Sequence, residues 1–246
     1  MEQQNYNYND PNVIIQQEGS ISKKFFANVF SWMFVALSLS TFAAYFISQT
    51  PAFLSMLVTE KGLSTLGYIV TFAPLGLVLL MSAGLSRLSY GALVGVFILY
   101  SILTGASLSF IMLIYTSGSI ISCFAAAAGI FGIMAFLGYT TNIDLSKFGP
   151  ILMVGVIGLV IASLINMFIQ SEQFSLFMAF IGIAVFTALT AYDVQKIKKI
   201  GLGIEETGED VFRVETKKMA IMGALSLYLD FLNIFLFLLR IFGNRK

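Results

Sequence analysis

Seven apolar stretches follow one another with little polar chain between them, and they decide what this sequence can fold into. They cover roughly residues 25–48, 65–84, 89–114, 118–139, 150–169, 174–195 and 219–242. At about 1.5 Å of rise per residue, each crosses the roughly 30 Å of hydrocarbon in a bilayer as one helix. Lipid offers backbone groups no partners, so a spanning segment must satisfy its own. The runs are continuous, whereas a transmembrane barrel needs alternating strands. Only 11% of the 246 residues are charged and 58% are hydrophobic, against about 25% charged in a soluble domain. The expectation is an all-α polytopic membrane protein, a seven-transmembrane-helix bundle.

Between the spans, several connections are very short, around 84–88, 116–118 and 170–173, which forces antiparallel neighbours. Longer ones cover 49–64 and 196–218. Residues 1–24 carry no basic start and no small-residue cleavage site, and read as an uncleaved polar tail. Lys23, Lys24, Arg87, Lys147, Lys196, Lys198, Lys199, Arg213, Lys217 and Lys218 fall on one side. Lys61, Arg240, Arg245 and Lys246 fall on the other. The positive-inside bias places the amino terminus and the 196–218 loop in the cytoplasm.

The net charge of +1 suggests no nucleic-acid partner. Cys123 is the lone cysteine, so no intrachain disulfide forms. There is no histidine. Proton sensing near neutral pH must therefore use another group, and displaced carboxylates are the obvious substitute.

Asp193 and Asp230 are the only acids in or beside an apolar span. A carboxylate in lipid is costly unless paired, protonated or hydrated, so such a residue is a functional candidate. Gly223, Ser226, Asp230 and Asn233 share one face of the seventh span, with Arg240 further along it. Gly182, Phe186, Thr190 and Asp193 form a weaker stripe on the sixth. If the two acids meet, like charges in a low-dielectric site resist double ionisation, and the pair shares a proton. Loss of that proton replaces a hydrogen bond with repulsion, which is a two-state element driven by pH. The ionised pair is also a hard oxygen site suited to calcium, so proton and metal compete.

Arg87, in a turn on the side of Asp193, is a latch candidate. Gly91 and Gly95, the Ala125–Ala128 run with Gly129 and Gly132, and Gly155 with Gly158 are read as helix-packing faces. Asn166 is read as interhelical glue.

At AYDVQKI (191–197), ALSLYLDFLNIFLFLLRIFG (224–243) and YSILTGASLS (100–109), the chain resembles the Bax inhibitor family, the transmembrane Bax-inhibitor-motif proteins. The resemblance implies a bundle with the last helix central and six around it. It implies a pH-sensitive calcium leak channel in the bacterial cytoplasmic membrane, with Asp193 and Asp230 as proton-sensing pair and weak calcium ligands, and Arg87 as latch. Ser226, Asn233, Thr190 and Gly223 are then candidates beside the path. The expected partners are membrane lipid, calcium and protons, with no further cofactor.

Two other readings come from different classes. One is a non-transporting regulator that docks a membrane protein on 196–218. The other is an intramembrane aspartyl protease of the presenilin type. That enzyme needs glycine-x-glycine-aspartate around its second acid, and this chain has Leu227-Tyr228-Leu229-Asp230. An enzyme is not expected.

Overall fold

The computed structural model describes residues 20–59, 62–207, 211 and 213–246. Residues 1–19 of the expected tail, and 208–210 and 212 of the expected loop, lie outside the described residues. The helices are α1 (Ser20–Gln49), α2 (Pro51–Leu57), α3 (Thr65–Gly84), α4 (Tyr90–Ile114), α5 (Ser117–Thr140), α6 (Gly149–Ile169), α7 (Glu172–Glu206) and α8 (Val214–Phe242). All but α2 are long and apolar enough to cross a membrane. The fold is all-α. A two-residue hairpin, β1 (Val58–Thr59) with β2 (Gly62–Leu63), lies in the connection between α2 and α3.

Local sequence sets the helix starts. Ser64, Ser89, Thr116 and Ser171 each precede a helix, and each side chain accepts a hydrogen bond from a first-turn N–H. Those N–H groups have no intrahelical partner, so a short hydroxyl side chain there completes the turn. Pro150 opens α6, where its missing N–H costs nothing. Pro74 lies inside α3 and cannot donate to the carbonyl of Val70. Ser107 of α4 donates to that carbonyl instead, at 2.8 Å. The defect in one span is thus repaired by its neighbour, as hydrocarbon surroundings require.

α8 is the central rod. Of the residues in its apolar window 61% are buried, against 6% in α6, so the two occupy the inside and the outside of the bundle. α8 packs against α1, α4, α5 and α7, while α3 lies chiefly on α4 and α6 chiefly on α7. The last helix is therefore flanked directly by four of the other spans, with two in an outer layer.

Of the glycines read as packing faces, Gly155 faces α7, where a Cβ would press on Val185, but the others leave open space. A Cβ on Gly91, Gly95, Gly129, Gly132 or Gly158 would meet nothing within 4 Å. A Cβ on Gly105 would run into the backbone of Ser40, and one on Gly138 into the backbone of Ala191. These two lone glycines let α4 approach α1 and α5 approach α7. Spacing alone did not mark them, because contact depends on which face meets a partner.

Candidate functional site

α7 and α8 are both longer than their apolar cores. The connection expected over 196–218 is largely helical, since α7 runs to Glu206 and α8 begins at Val214. This extension settles the depth of the two acids. Asp193 lies about 20 Å before the end of α7, and Asp230 about 24 Å after the start of α8, at 1.5 Å per residue. Two antiparallel rods joined at that end bring both acids to similar height.

Side-chain contacts fix the register. A Cβ on Gly223 would touch Ile197 of α7, and a Cβ on Gly182 would enter the ring of Phe237. The Phe186 and Phe237 rings lie 6.0 Å apart. These pairings place Asp230 level with Thr190 and one turn from Asp193. The two carboxyls are electrostatic neighbours. Asp230 is 4% exposed, and its Oδ2 is buried without a hydrogen-bond partner. Asp193 is half-buried.

The other candidates divide. Thr190 is fully buried, and its hydroxyl donates back to the carbonyl of Phe186 at 2.8 Å. Asn233 likewise donates to its own helix, to the carbonyl of Leu229 at 2.8 Å. Ser226 and Gly223 are half-buried on the stripe that carries Asp230. Arg240 is exposed at the end of α8. Arg87 is exposed in the turn after α3 and has no ion pair to a carboxylate among the described residues. Asn166 is not interhelical: its Oδ1 accepts from the N–H of Ser171 and holds the turn after α6.

Among the described residues, no three acidic, thiol or imidazole side chains gather as a metal site. Asp193 and Asp230 are thus the anionic donors available at mid-bundle. Two carboxylates fall short of the six to eight oxygens calcium takes, so a cation here would keep water and bind weakly.

Sequence reasoning missed the polar ties around this pair. Tyr228, two residues before Asp230, points away from α7 toward α1 and α4. Its hydroxyl lies 2.6 Å from Ser40 Oγ, and Ser40 in turn reaches the carbonyls of Ser101 (2.7 Å) and Ala36 (2.9 Å). Ser40 has one proton for two carbonyls, so the phenol donates to Ser40. The Tyr100 and Tyr228 rings meet edge to face at 5.5 Å. Serines and tyrosines inside otherwise apolar runs are the signal that could have pointed here.

On the other side, the segment just past Asp193 is strapped to the α5–α6 connection. The Gln195 side chain accepts from the N–H of Leu145 and donates to the carbonyl of Ile143, both at 2.8 Å. Lys198 donates to the carbonyl of Tyr139. Lys199 pairs with Asp144, and its ammonium holds the Asp144 carboxyl at about 2, below the ordinary 3.8. Lys198 and Lys199 are therefore engaged within the protein, whereas Lys196 is exposed beside Asp193.

A seven-span bundle with a buried carboxyl on its central helix and a half-buried one on the neighbouring helix defines a polytopic membrane protein. Residues 22–246 match the family described as inhibitor of apoptosis-promoting Bax1. The chain is 43% identical over 233 residues to an inner membrane protein, YbhL, of Escherichia coli K12, covering 95% of this chain and 96% of that one. It is 40% identical to a Rickettsia prowazekii protein over 227 residues, 91% of each chain. A Borreliella burgdorferi protein is 39% identical over 231 residues, 94% of this chain and 96% of its own. The chain belongs to the Bax inhibitor family. This is a membrane family and not a known enzyme family.

Proposed function

We propose that this protein is a proton-gated passive calcium leak of the inner, cytoplasmic membrane, with its amino terminus in the cytoplasm. The observation that carries this reading is Asp230: a carboxyl on the central helix, 4% exposed, with an unpartnered oxygen and a second carboxyl as its neighbour. No purely structural role needs that arrangement, because an apolar side chain would fill the site at lower cost. A shared proton turns the pair into a hydrogen bond between α7 and α8 and holds the bundle closed. Removal of the proton sets two anions against each other, parts the helices and exposes hard oxygen ligands to calcium. Proton and calcium then compete for the same oxygens. Arg87, at the rim on the side of the α7–α8 connection, is the proposed latch, and it engages an acid only in a conformation other than this one. The membrane assignment draws on the name of the Escherichia coli relative and the orientation on the lysine and arginine distribution.

The test is calcium flux into liposomes holding the purified protein, scanned over pH. Wild type is compared with Asp193→Asn, Asp230→Asn and the double variant. The expected result is a pH-dependent flux in wild type, altered in each single variant, and a pH-insensitive double variant. Unchanged flux and pH response in all three would discard the gate.

A further inference from the structure

Among the described residues, the hydrogen bonds that join one span to another sort into two groups. In the first, Ser107 of α4 holds the Val70 carbonyl of α3, Ser40 of α1 reaches α4 and α8, and Ser48 of α1 reaches the Met112 sulfur of α4 at 3.3 Å. In the second, Gln195, Lys198 and Lys199 of α7 hold the end of α5 and the α5–α6 connection, and α6 packs on α7. At the depth of the spans, no hydrogen bond among the described residues crosses from α1, α3, α4 and α8 to α5, α6 and α7. Glu205, Arg213 and Lys217 have interactions of their own outside that depth, at the α7–α8 connection.

Apart from the two acids, what meets across this seam is apolar. Phe124 of α5 stands edge to face on Phe231 and Phe235 of α8, at 5.0 and 5.9 Å. Ile197 and Gly182 of α7 lie against Gly223 and Phe237 of α8. Such contacts have no fixed direction, and in lipid no hydrophobic drive holds them. The seam is also incompletely filled. Between α1 and α5 it holds two apolar cavities of about 670 and 370 Å³, which share Leu37, Thr41 and Phe124.

One polar joint does cross it, at the end of the bundle away from the α7–α8 connection. Beyond α8 the chain runs antiparallel to the turn between α4 and α5, with Arg245 opposite Tyr115. The Thr116 N–H donates to the Asn244 carbonyl at 3.0 Å, and the Lys246 N–H to the Ile114 carbonyl at 2.8 Å. The Asn244 N–H donates to Ser119 Oγ of α5 at 2.9 Å, and the Lys246 ammonium to the Met112 carbonyl of α4 at 2.8 Å. This clasp fastens the end of α8 to both α4 and α5.

We propose that the bundle moves as two bodies, α1–α4 with α8 against α5–α7, and that the clasp is their pivot. The proton gate proposed above supplies the drive, and the movement rests on that reading. Asp230 belongs to one body and Asp193 to the other, so two anions push across the seam. Lys196 is the cation beside Asp193. The other spans bring no charged side chain to this level, and the Tyr100 and Tyr228 phenols meet on the opposite face of α8. Charge on the pair turns the bodies apart at the level of the acids, while the clasped end holds.

The test is double electron–electron resonance on the reconstituted full-length protein carrying Cys123→Ala, with spin labels at exposed positions, titrated over pH. Ser86→Cys with Lys147→Cys spans the seam near the α7–α8 connection. Ser55→Cys with Gln173→Cys spans it at the clasped end. Lys23→Cys with Ser86→Cys lies within one body, and Lys147→Cys with Gln173→Cys within the other. Expected is a change of about 2–5 Å in the first pair, the scale of helix shifts in switching proteins. The second pair should change less, and the two pairs within a body should hold. Asp230→Asn should abolish the change. A change within a body as large as that across the seam would overturn the proposal, and so would a larger change at the clasped end. Calcium flux that responds to pH while all four distances hold would overturn it and leave the gate standing. A seam change without calcium flux would uphold the two bodies and discard only the leak. Four constant distances with no flux would overturn both.

Discussion

Helix α7 has an acid beside it at two levels, and the two surroundings are built in opposite ways. At its rim, Asp144 from the α5–α6 connection meets Lys199, with both side chains about half exposed. At mid-height, Asp193 of the same helix is the charged neighbour of Asp230, which is buried and has an unpartnered oxygen. Asp144 has an ion pair where water already makes pairing nearly worthless, whereas buried Asp230 has none among the described residues. The cation near Asp193 is Lys196, exposed on the same helix. A chain selected for stability alone would pair the buried acid instead. The rim contact is a strap that holds a loop, whereas the central contact is an element kept close to imbalance.

The largest effect that sharpens this contrast belongs to the rods on which both contacts depend. Gly138→Val would force a side chain into the backbone of Ala191, just before Asp193. Thermal unfolding should show a loss of about 3 kcal/mol or no recoverable folded protein, in line with overpacking. Gly129→Ala, whose Cβ meets nothing, should be neutral or slightly stabilising. If both variants behave alike, the crossings have been misassigned.

Next in size are the two contacts themselves. Gln195→Ala leaves the Leu145 N–H and the Ile143 carbonyl without their partners and should cost about 1–3 kcal/mol. Asp230→Asn should do the reverse and raise stability by about 1–3 kcal/mol, because it removes a charge from a buried site. Its gain should grow as pH rises and shrink as pH falls, since only the ionised acid is costly. A destabilising Asp230→Asn at alkaline pH would make the central contact another strap.

The smaller effects concern single bonds. Tyr228→Phe removes the donor to Ser40 and should cost about 0.5–1 kcal/mol, the usual worth of a hydrogen bond between membrane helices. Asp144→Asn should have the smallest effect. The Asp144 carboxyl sits at about 2 in the folded protein, below its ordinary 3.8. Its stabilisation is therefore present above the ordinary value and fades as pH falls toward 2. A slightly lowered Tm at pH 7 that merges with wild type near pH 2 is expected in a thermal melt.

Much of this architecture was legible because lipid removes choices. Twenty apolar residues in a row have one sensible conformation in a bilayer. The acids stood out because a carboxylate there has no routine use. What stayed hidden was non-local. Lys196, Lys198, Lys199, Glu205 and Glu206 read as a polar loop, yet they are strong helix formers and extend α7 into the aqueous layer. That extension is what aligns Asp193 with Asp230. Glycine spacing found a packed position at Gly155 but open ones at Gly91, Gly95, Gly129, Gly132 and Gly158, because a repeat cannot say which side a partner occupies. The repair of Pro74 by Ser107 and the approach of Tyr228 to Ser40 exist only once separate helices are placed side by side.

The most direct measurement is infrared spectroscopy of the carboxyl stretch in reconstituted protein, titrated over pH, with Asp193→Asn and Asp230→Asn to assign the bands. A single protonated-carboxyl band that belongs to the pair, vanishes in either variant and is lost when calcium is added is the predicted result. Two independent bands, each titrating like an ordinary exposed acid and each untouched by substitution of the other, would contradict the account.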